Sequence, residues 1–397
     1  MKVLLVHNYY TRPSGEDTVF ELEFGLLKNG NHQVERFTVS NASMKTTPLR
    51  VGMQTIWSHR SYRNFRQILR DKKPHVVHFH NTFPQLSPSV YWAAASERVP
   101  VVQTLHNYRL TCANALLMRD LSPCEECVGR FPLPALRYRT YRDSLAATGA
   151  IVGMQAAHRM IGTYRNKVDA YVTLTRFMQS IMVRAGLPED RIHVKPHFVP
   201  DPLPALGSPP GRNNQVVFAG RLNYEKGVDL LLSAWRRLKL SGTRLVIVGD
   251  GPERLNLQRR FADLSGVVWR GWLERDDVLR DIARSRYLVM PSRWYETFGM
   301  VLIEALSVGT AIIAPNHGGI PEIVTPNLTG LLFSPNNEDD LVKKLSQAVR
   351  LDSAVWRQWS ANARRAYSTH YTPEVNYLQL MGVYEKAIEH AQKDRRV

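Results

Sequence analysis

The opening run Lys2-Val-Leu-Leu-Val-His7 sets its apolar residues side by side instead of on alternate positions. A strand with that pattern needs cover on both faces, which confines it to a parallel sheet buried between helices. The same texture returns at His75–His80, Pro100–His106 and Asp169–Thr173, with helical stretches between them. Thr18–Lys28 reads as the first helix, with Asp17 placed to cap it. This rhythm predicts an α/β domain.

Phe198–Gly211 then packs five prolines and two glycines into one stretch, a density that no regular element accepts. The rhythm restarts beyond it. Gln215–Ala219, Thr243–Val248, Val267–Arg270, Tyr287–Met290, Thr310–Ala314 and Gly330–Phe333 read as strands, and Gly227–Leu238 and Glu253–Asp263 as helices. The expected layout is a first doubly wound domain over 1–199, a linker over 200–213 and a second such domain over 214–372. A last helix over 373–397 carries Tyr377, Leu380, Tyr384, Ile388 and Ala391 on one face and is expected to return to the first domain. In folds of this kind the ligand lies at the carboxyl ends of the strands, here in the cleft between the two domains.

Composition narrows the class of protein. With 44% apolar and 22% charged residues in 397, the chain is a folding polymer and not a disordered one. Its formal net charge is +17, of which residues 1–200 carry +12 and residues 201–397 +5, so the first half is expected to face an anionic partner. Three cysteines cannot frame a disulfide-stapled fold and fit a reducing compartment. The first apolar run is too short for a signal peptide, and no apolar run reaches the roughly eighteen residues of a membrane span. A cytoplasmic location is the expectation.

Chemistry concentrates in the second half. In Pro291-Ser-Arg-Trp-Tyr-Glu-Thr-Phe-Gly-Met-Val-Leu-Ile-Glu304 a strand gives way to a loop and then to a helix starting near Gly299. Unpaired amides at Thr297–Met300 and the helix dipole would make an anion site. Glu296 and Glu304 flank that site, an arrangement suited to a ligand with hydroxyls on both sides of a pyrophosphate. Gly220-Arg-Leu-Asn-Tyr-Glu-Lys-Gly227 follows the first strand of the second domain and offers Arg221 and Lys226 to a diphosphate. Val248-Gly-Asp-Gly-Pro252 is a strand-to-helix turn in which Gly249 lets a ligand approach the backbone.

In this order, the three segments resemble the second domain of the retaining glycosyltransferases of the GT-B fold, family four (group 1). That fold is two Rossmann-like doubly wound parallel-sheet domains facing across a cleft. Glu296 and Glu304 match the family's E-x7-E motif, and Arg221 with Lys226 its phosphate-binding basic pair. The resemblance implies that Glu296 contacts donor-sugar hydroxyls and that Glu304 holds the ribose. Thr297, Phe298 and Gly299 would bind phosphate through their amides, beside Gly220. The turn at Gly271-Trp272-Leu273 would lie next to the nucleobase. His106, in Leu105-His-Asn-Tyr-Arg109, resembles the family's active-site histidine, and His80-Asn81 is a second strand end facing the cleft. Tyr10–Asp17 stands where the family has a double glycine; Ser14 replaces one glycine and Gly15 remains to bring amides near the donor.

The expected activity is therefore transfer of a sugar from a nucleotide-sugar donor to an acceptor hydroxyl with retention, the donor being a co-substrate. The resemblance implies no required metal or cofactor. A nucleotide-sugar epimerase, a glycan phosphorylase and a non-catalytic sugar-nucleotide binder are the competing readings. Cys112, Cys124 and Cys127 could hold a structural zinc with His158 as fourth ligand, or stand as plain thiols. Arg130–Arg142 interleaves arginines with aromatic and apolar residues, a pattern for an anionic membrane surface. It comes with no nucleic-acid-binding motif. A lipid-linked oligosaccharide acceptor and a peripheral place at the inner face of the membrane complete the expectation.

Overall fold

The computed structural model describes the chain except for residues 12–13, 44–47, 207–211, 239, 241 and 395–397. The chain divides into two units. Unit 1 contains Met1–Arg119, Cys124–Pro196 and Asn376–Val397, and unit 2 contains Asp120–Pro123 and His197–Val375. Each is built on a parallel sheet of six strands, the α/β architecture expected.

In unit 1 the strands are β1 (Lys2–Tyr9), β2 (Gln33–Ser40), β3 (Val76–Phe79), β4 (Val101–Thr104), β5 (Ala170–Thr173) and β6 (Ile192–Val194), in the order β2-β1-β3-β4-β5-β6. Strand β1 is buried from Val3 to Asn8, as its contiguous apolar run requires. It carries β2 on one side and β3 on the other, with Val3 opposite Val76 and Val6 opposite Phe79. The first helix is Gly15–Asn29, and its cap is Ser14 instead of Asp17. The Ser14 hydroxyl accepts from the Asp17 amide while the Asp17 carboxylate accepts from the Ser14 amide, a reciprocal capping box that places Asp17 inside the first turn. Of the loop over 10–17, residues 12–13 lie outside the described residues. Leu380, Val383, Tyr384 and Ala387 of the last helix, Pro373–Asp394, join Val3, Leu5, Phe20 and Val102 in the core of unit 1.

In unit 2 the strands are β7 (Asn213–Ala219), β8 (Arg244–Val248), β9 (Val267–Gly271), β10 (Ser285–Val289), β11 (Ala311–Pro315) and β12 (Gly330–Phe333), in the order β9-β8-β7-β10-β11-β12. The order reverses between β7 and β10, and a ligand crevice opens outside the carboxyl ends of the strands at such a point. The predicted linker is partly regular: Leu203–Leu206 makes one helical turn, which accepts Pro204 because a first-turn residue needs no amide partner. Residues 207–211 of that stretch are outside the described ones. Among the described residues, no helix is long and apolar enough to cross a membrane.

Candidate active site

At the reversal in unit 2, three loops meet backbone to backbone. The loop after β7 runs from Gly220 to Gly227 through a short turn at Tyr224–Lys226, and the loop after β10 leads to a helix at Met300–Ser307. Gly227 has φ +68°, and a Cβ there would stand 2.1 Å from the Pro291 carbonyl oxygen, so glycine alone lets the two loops touch. Gly249, after β8, has φ +128° and would drive a Cβ to 1.9 Å from the Gly220 oxygen. Its amide donates to the Gly271 carbonyl at 2.7 Å, which ties in the end of β9.

Lys226 and Glu296 stand in direct contact. Lys226 Nζ donates to Glu296 Oε1 at 2.6 Å, and the Ser292 hydroxyl donates to the same oxygen at 2.6 Å. Glu296 is only 3% exposed, and Lys226 Nζ also lies 5.4 Å from the Trp294 ring centre. Arg221 is at the exposed start of the same loop. The loop geometry is set by a residue that the sequence reading passed over. Arg293 forks onto Asp229 at 2.5 and 2.9 Å, donates to the Tyr224 carbonyl, and through its amide to the Glu225 carbonyl at 2.8 Å. A bidentate Arg–carboxylate pair of this kind locks both direction and distance. Its place inside Pro291–Glu304 was the available signal.

The helix begins at Met300, with Gly299 as its cap at φ +88°. Thr297 and Phe298 therefore precede the helix, a correction to the expected first-turn amides at Thr297–Met300. The Phe298 ring is buried 5.3 Å from the ring of His197 and 6.0 Å from that of Tyr371, which anchors the segment. Glu304, on the next turn, accepts from Arg275 Nε at 3.3 Å; burial lifts its carboxyl above the ordinary range although Arg275 opposes this. Trp272 is 67% exposed just past β9, with Leu273 half-buried beside it.

In unit 1 the order reverses between β1 and β3, and a pocket at the ends of β3 and β4 is lined by Tyr10, Asn81, His106, Asn107 and Arg109 among others. His106 is buried at its edge, and His80 Nδ1 lies 3.1 Å from His106 Nε2. Gly15 is the first residue of the helix, and a Cβ there would meet nothing. Cys112, Cys124 and Cys127 line a second small pocket. His158 does not join them: its Nδ1 bonds Thr163 Oγ1 at 2.8 Å and its Nε2 the Ile56 carbonyl at 2.7 Å. Burial raises the Cys112 thiol and pushes Cys127 up to about 11.

Comparison with known proteins accords with this layout. Residues 206–366 match the family model described as glycosyl transferases group 1, and residues 27–197 the one described as a glycosyl transferase 4-like domain. Over 133 residues the chain is 37% identical to the sulfoquinovosyl transferase SQD2 of Arabidopsis thaliana, covering 33% of this chain and 25% of that protein. Over 158 residues it is 34% identical to the glycogen synthase of Mycobacterium tuberculosis, covering 38% and 37%. The matched segments thus span a quarter to two-fifths of these relatives' lengths. Among solved structures, a glycosyltransferase from Rickettsia africae superposes with TM-score 0.71 at 17% identity over 98% of this chain and 99% of that one. Anabaena HepE in complex with UDP and glucose superposes with TM-score 0.67 at 17% identity over 97% and 99%. At that identity the likeness is one of fold.

Proposed function

This chain belongs to the group 1 glycosyltransferases, and on that premise we propose that it transfers a sugar from a nucleotide-sugar donor to an acceptor hydroxyl with retention at the anomeric carbon. The observation that carries the proposal is the contact of Lys226 with Glu296 between two loops held at the strand-order reversal of unit 2. Lys226 and Arg221 neutralise the diphosphate, and the amides from Thr297 to Gly299 bind its oxygens. Glu296 accepts from sugar hydroxyls and Glu304 from those of the ribose, while Gly271, Trp272 and Leu273 border the base. In unit 1, His106 is assigned to orienting the sugar. The acceptor oxygen bonds to the anomeric carbon as the bond to the phosphate oxygen breaks; the electron pair leaves on that oxygen, which takes the hydroxyl proton. Positioning and stabilisation of the charge that grows on the leaving group supply the rate. UDP-glucose, with which HepE is in complex in another structure, is a first donor to try.

The experiment is to offer UDP-, GDP- and ADP-sugars and follow the released nucleoside diphosphate. Release that requires an acceptor hydroxyl supports the proposal. Interconversion of the donor without acceptor points to an epimerase, dependence on phosphate to a phosphorylase, and binding without turnover to a binder.

The acceptor is proposed to be a lipid-linked glycan reached at an anionic membrane surface. Only Leu133–Arg137 of the Arg130–Arg142 stretch is helical, and Phe131 (60% exposed) and Leu133 (63%) stand in solvent close in sequence to Arg130 and Arg137. Met160, on a neighbouring segment of unit 1, is 83% exposed. Apolar side chains set among arginines suit a headgroup layer, where each cation contributes about 1 kcal/mol. Arg137, Arg139 and Arg142 replaced together by Ser are expected to lower sedimentation with anionic liposomes while donor turnover persists. Equal binding to neutral and anionic vesicles would refute the membrane assignment.

A further inference from the structure

Behind His106, unit 1 buries a chain of polar groups that the proposed transfer does not use. His80 Nδ1 is 3.1 Å from His106 Nε2, and on the far side His80 Nε2 is 3.3 Å from Glu23 Oε2. Glu23 Oε1 accepts from Lys195 Nζ at 2.7 Å, and Lys195 also donates to Asn376 Oδ1 at 3.0 Å. Glu23, His80 and Lys195 are all at or near zero exposure. The approach of His80 Nε2 to Glu23 Oε2 is an ion-pair contact and not a formed hydrogen bond, and among the described residues neither atom has a hydrogen-bond partner. Five groups face one another here: Glu23 from the first helix, His78 and His80 from the end of β3, Lys195 beyond β6, and His7 of β1 with its ring centre 6.3 Å from that of His80.

The protons in this chain follow from charge. Glu23 and Lys195 already balance each other, so a second buried cation would go unpaired and His80 stays neutral. Burial lowers the pKa of His80 in the same sense. Glu23, which burial alone would raise, is held well below the carboxylate range chiefly by the Lys195 ammonium, so it is ionised and can only accept. His80 must then carry its single proton on Nε2, toward Glu23, and its Nδ1 can only accept. The hydrogen between the two imidazoles therefore belongs to His106.

We propose that the buried Lys195–Glu23–His80 chain fixes His106 in the tautomer that bears its proton on Nε2 and an accepting Nδ1, which makes His80 and Glu23 positioning residues for His106. Orientation of a site histidine by a carboxylate is common where the imidazole touches the ligand directly. Here a second histidine is interposed, which extends the reach of a carboxylate sealed in the core to the edge of the pocket. The consequence for catalysis rests on the role proposed for His106; the tautomer itself does not.

Protein labelled with ¹⁵N in its 13 histidines, with His106→Gln used for assignment, reads the tautomer directly from two-bond ¹H–¹⁵N correlations. The proposal expects Nε2–H on His106 of the wild type. It expects loss of that single tautomer in His80→Leu, with turnover lower by roughly ten- to a hundredfold, by analogy with metal-ligating histidines that lose their orienting partner. His80→Asn, whose side-chain oxygen can sit where Nδ1 was, should restore the tautomer and much of the rate. A wild-type His106 protonated on Nδ1 overturns the proposal, as does a His80→Leu protein with both readouts unchanged. If His80→Leu does not fold, the wild-type spectrum decides alone. If no sugar transfer is found, the spectrum still decides, which separates this inference from the functional reading.

Discussion

Lys226→Ala is expected to lose at least about a hundredfold in turnover at saturating donor, because removal of one preorganised charge-stabilising contact costs roughly 2.7–4 kcal/mol of barrier. The fold should survive. Lys226 lies half-buried in a loop, and the ion pair it leaves involves a glutamate that keeps its bond from Ser292. Glu296→Gln removes the same ion pair from its other end while keeping the size of the side chain, and should also lower turnover strongly. Circular dichroism and a melting curve separate lost chemistry from lost structure. Near-normal turnover in folded Lys226→Ala would remove the lysine from the site.

Gly227→Ala is expected to act on the fold itself. A left-handed backbone costs an L-residue about 1–2 kcal/mol, and here the added carbon also meets the Pro291 oxygen at 2.1 Å. Together they place the substitution at roughly 2–4 kcal/mol, the upper end for single changes. For a unit of this size that is a fall in Tm of about 5–15 °C by calorimetry. Turnover should drop as well, since the loop carrying Lys226 must leave Pro291. Gly25→Ala is the control: mid-helix, with nothing within 4 Å of its added carbon, it should be neutral or slightly stabilising. An unchanged Tm for Gly227→Ala would mean that the two loops do not rest on each other in solution.

What was legible in the chain was local. The strand ends at Ala219 and Val248 follow from contiguous apolar runs stopped by glycine, and they already locate Lys226 and Gly249 at carboxyl ends of strands; the strand read as far as His106 stops at Thr104, which leaves His106 two residues beyond it. The edge strand β2 was not legible, because Val34, Phe37 and Val39 make neither a contiguous apolar run nor an unbroken alternation, and no residue of Gln33–Ser40 is fully buried. Ser14 was outranked by Asp17 as a cap because either residue type serves there, and only the backbone turn decides which one does. Pairings across long separations were equally hidden. Arg293 and Asp229 are 64 residues apart, and Lys195 and Glu23 are 172 apart; their meeting depends on sheet order, which no local pattern encodes. The same holds for His158, whose helical spacing gave no sign that Ile56 and Thr163 occupy its two nitrogens.

Unit 2 is proposed to grip a nucleoside diphosphate through Lys226. Calorimetric titration of UDP, GDP and ADP into the wild type and into Lys226→Ala tests it without need of an acceptor. At least one of the three is expected to bind the wild type and to bind the variant at least about tenfold more weakly, a loss of about 1.4 kcal/mol. Equal affinity for both proteins, or no binding of any diphosphate to the wild type, would contradict it.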